Sequence, residues 1–348
     1  MNVLLSELES RLSELREGLS AEGLTHLLVS KKGNICYLTG METGVAVVGP
    51  DESILWLKDL YINHHSSLYL DDKYPFDVRV YGGGEVYNYL KDETQRLGVE
   101  NVSVKSYRDL ADKLGYNPST TEVVESARRI KSPYEVSMLK KAASIAVKGM
   151  NKAFEVVRMG LSEAEAAAEV ESELRRNGSE CPPFRQGILL ASGKSTADIH
   201  ANPSQEKIRD NSMVIVDLGA KYNNYFSDMT RTITIGSAGR DERDVSEFIH
   251  NLELETIDRL EVGMPIRDIH DFVDGEITRK GYRFYHSTGH GVGLDVHEKP
   301  SVSSDSSDVV REGMVFTIEP GIYIPQRFGV RFEDMVYVGK KNIEVLTR

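Results

Sequence analysis

Two stretches of this 348-residue chain constrain its fold more than any other feature. Each consists of two strand-like apolar runs around a short turn, and each run carries a carboxylate. Residues 213–235 read MVIVDLGAKYNNYFSDMTRTITI, with a turn over Lys221–Tyr225 whose central asparagines suit that role. Folded symmetrically about Tyr222 and Asn223, this hairpin sets Asp217 across from Asp228, where cross-strand Cβ atoms lie only about 4.5–5.5 Å apart. Carboxylates so placed repel, unless one is protonated or a cation lies between them. The alternative is a different register with both acids solvated.

The second stretch weakens that alternative. Residues 314–338 read MVFTIEPGIYIPQRFGVRFEDMVYV and turn around Pro325–Gly329, so symmetry about Gln326 places Glu319 opposite Glu333. Alternation puts Val315, Thr317 and Glu319 on one face of the first strand, and Arg331 and Glu333 on one face of its partner. Solvation does not readily explain two independent hairpins with opposed carboxylates. Between them lies HSTGHGVGLDVHEKP, which sets His286, His290 and His297 among Gly289, Gly291 and Gly293, residues that permit close backbone approach. Four carboxylates and one imidazole are hard or borderline donors, suited to Mn²⁺, Co²⁺, Fe²⁺ or Zn²⁺ rather than to a thiolate zinc site. Two divalent ions would neutralise four carboxylates. Held about 3.5–4 Å apart, such ions deprotonate a bridging water and polarise a carbonyl, which is what amide hydrolysis requires.

The remainder of the chain reads as a two-domain α+β protein, with residues 1–125 as a small α/β domain and 126–348 as the domain bearing the hairpins. The first segment spaces Leu4, Leu5, Leu8, Leu12 and Leu15 as an amphipathic helix, not as a signal peptide. Strands are expected at Thr25–Ser30, at 34–40 (NICYLTG), in a hairpin over Val45–Leu57, at Asp77–Tyr81 and at Val102–Val104, with a helix over Glu85–Leu97. The run Gly82-Gly83-Gly84 lacks the Lys-Ser/Thr of a phosphate-binding loop and reads as a turn. Ser132 before Pro133, and Ser162 before Glu163, read as helix caps, with Asn177-Gly178 ending the second helix. A net charge of −12 argues against nucleic acid or anionic lipid as a partner, and no apolar run approaches the length of a membrane span. Two cysteines, Cys36 and Cys181, give no disulfide framework, which is compatible with the cytoplasm.

The runs Asp217-Leu218-Gly219-Ala220, Asp228-Met229-Thr230-Arg231-Thr232, Gly289-His290-Gly291-Val292-Gly293, Glu319-Pro320-Gly321 and Gly329-Val330-Arg331-Phe332-Glu333-Asp334 resemble the dinuclear site of the pita-bread metallopeptidases. That family includes prolidases, aminopeptidases P and methionine aminopeptidases. The resemblance implies that Asp217, Asp228, His290, Glu319 and Glu333 are metal ligands, with Asp228 and Glu333 bridging both ions and Glu319 doubling as general base. It implies that His200, in ADIHANPS, lies near the scissile carbonyl, although Ile199 stands where the family usually has proline. It implies that His297 binds substrate and helps stabilise the tetrahedral intermediate, and that Arg331 orients Asp217. His286 matches a position near the metals, with packing as its alternative role.

The N-terminal part resembles a creatinase-type domain through Tyr37-Leu38-Thr39-Gly40 and the Ile54–Tyr61 strand, although Lys58-Asp59-Leu60-Tyr61 departs from the family's Asp-x-Arg-Tyr. Such a domain argues against methionine aminopeptidase. The expectation is a cytoplasmic homodimer that carries two divalent ions per subunit, Mn²⁺ or Co²⁺ before Fe²⁺ or Zn²⁺, and cleaves before proline in Xaa-Pro dipeptides. An aminopeptidase P acting on longer Xaa-Pro peptides is the first alternative. A non-catalytic peptide-binding module is the second, and creatine hydrolysis is disfavoured because the full ligand set is kept.

Overall fold

The computed structural model describes residues 3–62, 69, 71–82, 84–93, 96–182, 184 and 187–348, so the glycine turn's Gly83 lies outside the described residues. The chain divides into two compact units, Met1–Arg128 and Arg129–Arg348. Among the described residues no helix is long and apolar enough to cross a membrane.

In the first unit the leucine-spaced segment forms helix α1 (Val3–Ala21), and Leu5, Leu8, Leu12 and Leu15 are buried. A mixed sheet contains β1 (His26–Val29), β2 (Val45–Val48), β3 (Ser53–Leu57), β4 (Asp77–Val80), β5 (Leu97–Val99) and β6 (Ser119–Thr120) in the order β4-β3-β2-β1-β5-β6. The expected hairpin is the antiparallel β2–β3 pair. Segment 34–40 is not a strand: helix α2 (Lys32–Thr39) covers it, ended by Gly40 in the left-handed region at φ 73°. A short apolar run does not fix its own period. Here a helix buries all of residues 33–39 and lets the Thr39 hydroxyl donate to the Ile35 carbonyl at 2.7 Å. The strand expected over Ile54–Tyr61 stops at Leu57, and helix α3 (Asp59–Ile62) takes its last residues; α4 (Glu85–Glu93) follows in chain order and ends before Leu97, which belongs to β5. Val102–Val104 is not a strand either. Ser103 accepts from the Ser106 N–H and caps helix α5 (Val104–Leu114). Helix α6 (Val123–Arg128) spans residue 125 and packs on α1 within this unit.

The second unit opens with helices α7 (Pro133–Val156) and α8 (Glu163–Arg176), each with a complete capping box, Ser132 with Glu135 and Ser162 with Glu165. Their apolar faces pack on an antiparallel sheet of β7 (Leu189–Ser192), β8 (Ser212–Leu218) and, past the hairpin tip β9 (Lys221–Tyr222) and β10 (Tyr225–Phe226), β11 (Met229–Ile235). Helices α9 (Arg240–Asp258) and α10 (Ile266–Arg279) cover the second group of strands. That group comprises β12 (Gly289–Gly291), β13 (Glu298–Val302), β14 (Val315–Ile318), β15 (Gly321–Ile324), β16 (Phe328–Arg331), β17 (Asp334–Val338) and β18 (Ile343–Val345). Its five-stranded sheet runs β13-β12-β14-β17-β18, with β15 and β16 forming a hairpin beyond β14 and β17.

Candidate metal centre

The second hairpin folds in the register expected from its sequence. Ile318 pairs with Asp334 at the end of one ladder and Gly321 with Arg331 at the start of the next, which leaves Glu319 facing Glu333 between them. The first hairpin turns one residue later than expected, because Asn223 and Asn224 both take positive φ (45° and 70°), the requirement of a tight two-residue turn. Asp217 therefore pairs with Thr230 instead of Asp228. Moving the turn centre by one shifts the pairing by two residues, which preserves the face, so Asp228 still converges on Asp217 from a diagonal position.

The two hairpins meet at an isolated bridge, Thr230 with Glu333, closed by Thr230 N–H to Glu333 O at 3.3 Å and Glu333 N–H to Thr230 O at 3.1 Å. The Thr230 hydroxyl donates to Glu333 Oε2 at 2.7 Å and accepts from Arg331 Nε at 3.1 Å. His290 comes from the centre of β12, whose flanking glycines are required by space. A Cβ at Gly289 would lie 1.8 Å from the Thr317 carbonyl oxygen, and one at Gly291 would lie 2.2 Å from that of Lys299.

Three overlapping triads of donor atoms result: Asp217 with Asp228 and Glu333, His290 with Glu319 and Glu333, and Asp228 with His290 and His297. Within each triad the donor atoms lie within 4.8 Å of one another. His290 Nε2 is 3.7 Å from Asp228 Oδ2, 3.7 Å from Glu319 Oε1 and 4.0 Å from Glu333 Oε1. Its Nδ1 lies 3.2 Å from the Gly291 carbonyl, which assigns the ring proton there and turns the Nε2 lone pair towards the carboxylates. Burial pushes the imidazole down to about 4, so it is neutral at physiological pH. Burial also raises Asp217, and raises Asp228 and Glu319 well above the carboxylate range, the latter two reinforced by neighbouring carboxylates. Glu333 is pushed up to about 7, by burial first and Asp217 second. Asp217 Oδ1 and Asp228 Oδ1 are buried without a hydrogen-bond partner among the described residues. An imidazole lone pair among crowded, partly unbonded carboxylate oxygens fits a divalent cation, whose charge would reverse the upward shifts of the carboxylates and keep the imidazole neutral.

Around this cluster Arg331 Nη2 donates to Asp217 Oδ2 at 2.6 Å, and its Nη1 donates to the Tyr323 hydroxyl at 2.9 Å. A guanidinium only donates, so the phenol's own proton points to His286 Nε2, 3.0 Å away, and His286 Nδ1–H serves the Ser287 carbonyl at 2.8 Å. His286 is thereby held neutral, its value lowered to about 4 by burial first and Arg331 next. It also lies 3.8 Å from Glu319 Oε2. The structure thus gathers every residue singled out from the sequence. Asp217, Asp228, His290, Glu319, Glu333, Arg331, His200 and His297 line one cavity of about 530 Å³, and His286 lies just behind it. Exposed His200 follows a 3-10 turn (Gly193–Ala197), its N–H bonded to Asp198 Oδ1, while the His297 ring packs 4.2 Å from that of His290. Sequence reasoning missed Tyr323 and the Thr230 hydroxyl. Tyr323 sits in the apolar run Gly321–Ile324, where it looks like ordinary core.

Residues 137–340 match Metallopeptidase family M24, and residues 11–130 match the Creatinase/Prolidase N-terminal domain. The chain belongs to metallopeptidase family M24, and its fold is a creatinase-type N-terminal domain followed by a pita-bread domain. It is 33% identical to an Xaa-Pro dipeptidase of Pyrococcus furiosus, over 98% of each chain. An Xaa-Pro dipeptidase structure from Bacillus anthracis superposes with a TM-score of 0.90 at 30% identity, covering 98% of both chains. An X-Pro aminopeptidase structure from Thermotoga maritima gives 0.87 at 26% identity, covering 97% of each.

Proposed function

We infer that this chain is an Xaa-Pro dipeptidase, hydrolysing the peptide bond before proline with two divalent ions held by Asp217, Asp228, His290, Glu319 and Glu333. The convergence of four carboxylates and one imidazole lone pair on a single cavity carries this reading, and full-length likeness to proteins named Xaa-Pro dipeptidase supports it. When bound, such ions supply Lewis acidity and a water that ionises near neutral pH. On the family resemblance Asp228 and Glu333, each in two of the triads, would be the ligands shared by both ions. Glu319 faces the cavity and takes the proton of the attacking water as general base, returning it to the departing proline nitrogen. His200 and His297, on the cavity wall, hold the scissile carbonyl and the charge that develops on its oxygen. Arg331 pulls against the burial that raises Asp217 and orients its carboxylate, and Tyr323 and His286 hold Arg331 and the ground behind Glu319.

Mn²⁺ or Co²⁺ suits the oxygen-rich donor set better than a thiol-loving metal. The reading extends to a homodimer, on the family resemblance, and to the cytoplasm, which suits Cys36 and Cys181, neither of them in a disulfide. Aminopeptidase P is the second reading, and the likeness to the Thermotoga maritima X-Pro aminopeptidase at 26% identity leaves it behind the first, whose named relatives reach 30–33%. Retention of the full donor set disfavours the non-catalytic module. The deciding assay uses metal-stripped protein with and without Mn²⁺ or Co²⁺, on Met-Pro, a longer Xaa-Pro peptide and Met-Ala-Ser. Metal-restored cleavage of Met-Pro alone is expected. Cleavage of the longer Xaa-Pro peptide moves the chain to aminopeptidase P, and no cleavage of any peptide overturns both readings.

A further inference from the structure

We propose that Arg231 is a positioning residue that sets the spacing of the two carboxylate hairpins from behind the metal centre, an inference that rests on the metal-site reading above. On β11 Thr230 and Thr232 turn their hydroxyls to Glu333 Oε2 and the Arg331 carbonyl. Arg231, between them, projects from the opposite face of the strand, away from the donor atoms. From there its Nη1 donates to the Thr230 carbonyl at 2.9 Å and to the Glu333 carbonyl at 2.7 Å. Those two carbonyls are the acceptors that close the isolated bridge between the hairpins.

The bridge is a single residue pair, and it joins the hairpin that carries Asp217 and Asp228 to the one that carries Glu319 and Glu333. Its two backbone hydrogen bonds are flanked on the donor side by the side chains of Thr230, Thr232 and Arg331, which leaves the seam to open on the side away from the donors. One planar cation bonded to both carbonyls resists that opening. The guanidinium is itself fixed: Nη2 donates to Asp334 Oδ1 at 2.6 Å and to the Thr347 carbonyl at 3.2 Å. Asp334 is buried, and it also accepts from Thr347 Oγ1 at 2.8 Å and from Arg348 Nε at 2.6 Å, while Arg348 in turn reaches Glu253. Arg231 thus ties a rigid charged network to the backbone of Glu333 without touching substrate or donor atoms. A lysine cannot span these acceptors, because its single ammonium lacks the fork.

The test compares the wild type with Arg231→Lys and Arg231→Met, as full chains stripped of metal and titrated with Co²⁺. Three quantities are read: Co²⁺ affinity by calorimetry, the visible absorption of bound Co²⁺, and thermal unfolding of the metal-free protein. The expected result is folded variants whose Co²⁺ affinity falls about tenfold or more and whose Co²⁺ absorption changes in position or intensity, with Lys closer to wild type than Met. A variant that is less stable without metal but binds Co²⁺ with unchanged affinity and spectrum overturns the proposal, since Arg231 would then serve stability alone. If neither variant folds, the positioning role is likewise overturned. A wild type that binds no Co²⁺ overturns the metal-site reading beneath it, which separates that failure from failure of the clamp.

Discussion

Arg331 and Asp217 form a buried ion pair, Nη2 to Oδ2 at 2.6 Å, in which the other carboxylate oxygen has no hydrogen-bond partner among the described residues and Asp217 belongs to the donor cluster. The arginine counters, without cancelling, the burial that raises Asp217, and leaves one face of the carboxylate for a cation. Arg331→Lys should therefore lower divalent-metal affinity about 10- to 100-fold, the range typical when an outer partner of a ligand is lost. Equilibrium dialysis with Mn²⁺ checks it, and unchanged occupancy would detach Arg331 from the site.

Tyr323→Phe removes one oxygen and strands two partners, Arg331 Nη1 and His286 Nε2. Stability should fall by about 1–3 kcal/mol, the cost of leaving a buried polar group unsatisfied, and turnover should fall with it. Chemical denaturation and kinetics on the same preparation test this; a variant indistinguishable from wild type would show that the phenol only fills space.

Asp228 suffers from burial and from the charges of Glu333, Asp217 and Glu319. Asp228→Asn, which mimics the protonated acid, should leave metal-free protein as stable as wild type or more stable, by roughly 1 kcal/mol, while abolishing most of the stabilisation that added Mn²⁺ confers. In the wild type that stabilisation grows with free metal as mass action requires, about 2.7 kcal/mol at a hundredfold excess over Kd. Thermal unfolding with and without Mn²⁺ gives both numbers, and an Asn variant stabilised by metal as strongly as wild type would remove Asp228 from the ligand set.

Glu253 supplies a test of pH dependence away from the donor atoms. Burial, then the nearby charge of Asp334, pushes it up to about 8, against the pull of Arg348 and Arg231; His250 is the other titratable group facing this network. Because the folded value lies above the unfolded one, the native state holds a proton that the unfolded chain releases. The stabilisation is complete below about pH 4.5 and is lost as pH rises towards 8, at a slope of roughly 1 kcal/mol per pH unit where steepest. Glu253→Gln should flatten that decline. The site carboxylates act in the same direction, so the readout is the difference between variant and wild type in unfolding free energy from pH 5 to 8. Parallel curves would mean that Glu253 is ionised in the folded protein.

Much of this was legible in the chain because strands impose a two-residue period on what they carry. Gln326, itself at φ 62°, centres the second hairpin as its symmetry requires, and the capping serines at 132 and 162 start their helices where expected. The first hairpin shows what is forgiven: a turn displaced onto Asn223-Asn224 changed every cross-strand partner and left every face intact. Residues 34–40 and Val102–Val104 show what is not. Runs that short take their conformation from their surroundings, a buried helical turn in one case and a serine cap in the other. Tyr323 and the hydroxyl of Thr230 carry no pattern, since their roles exist only once two distant hairpins meet.

The meeting of those hairpins at Thr230 and Glu333 gives the centre a single mechanical coordinate. Every donor triad draws on both hairpins or on β12 beside them, and β12 is locked in place by Gly289 and Gly291. Opening or closing the seam therefore changes both triads that contain Asp228 at once, while His290, Glu319 and Glu333 move together on one side of it. Substitutions that adapt such a protein to a different metal are then expected to gather along the seam, or to replace a donor outright, and to be sparse in the rest of the sheet.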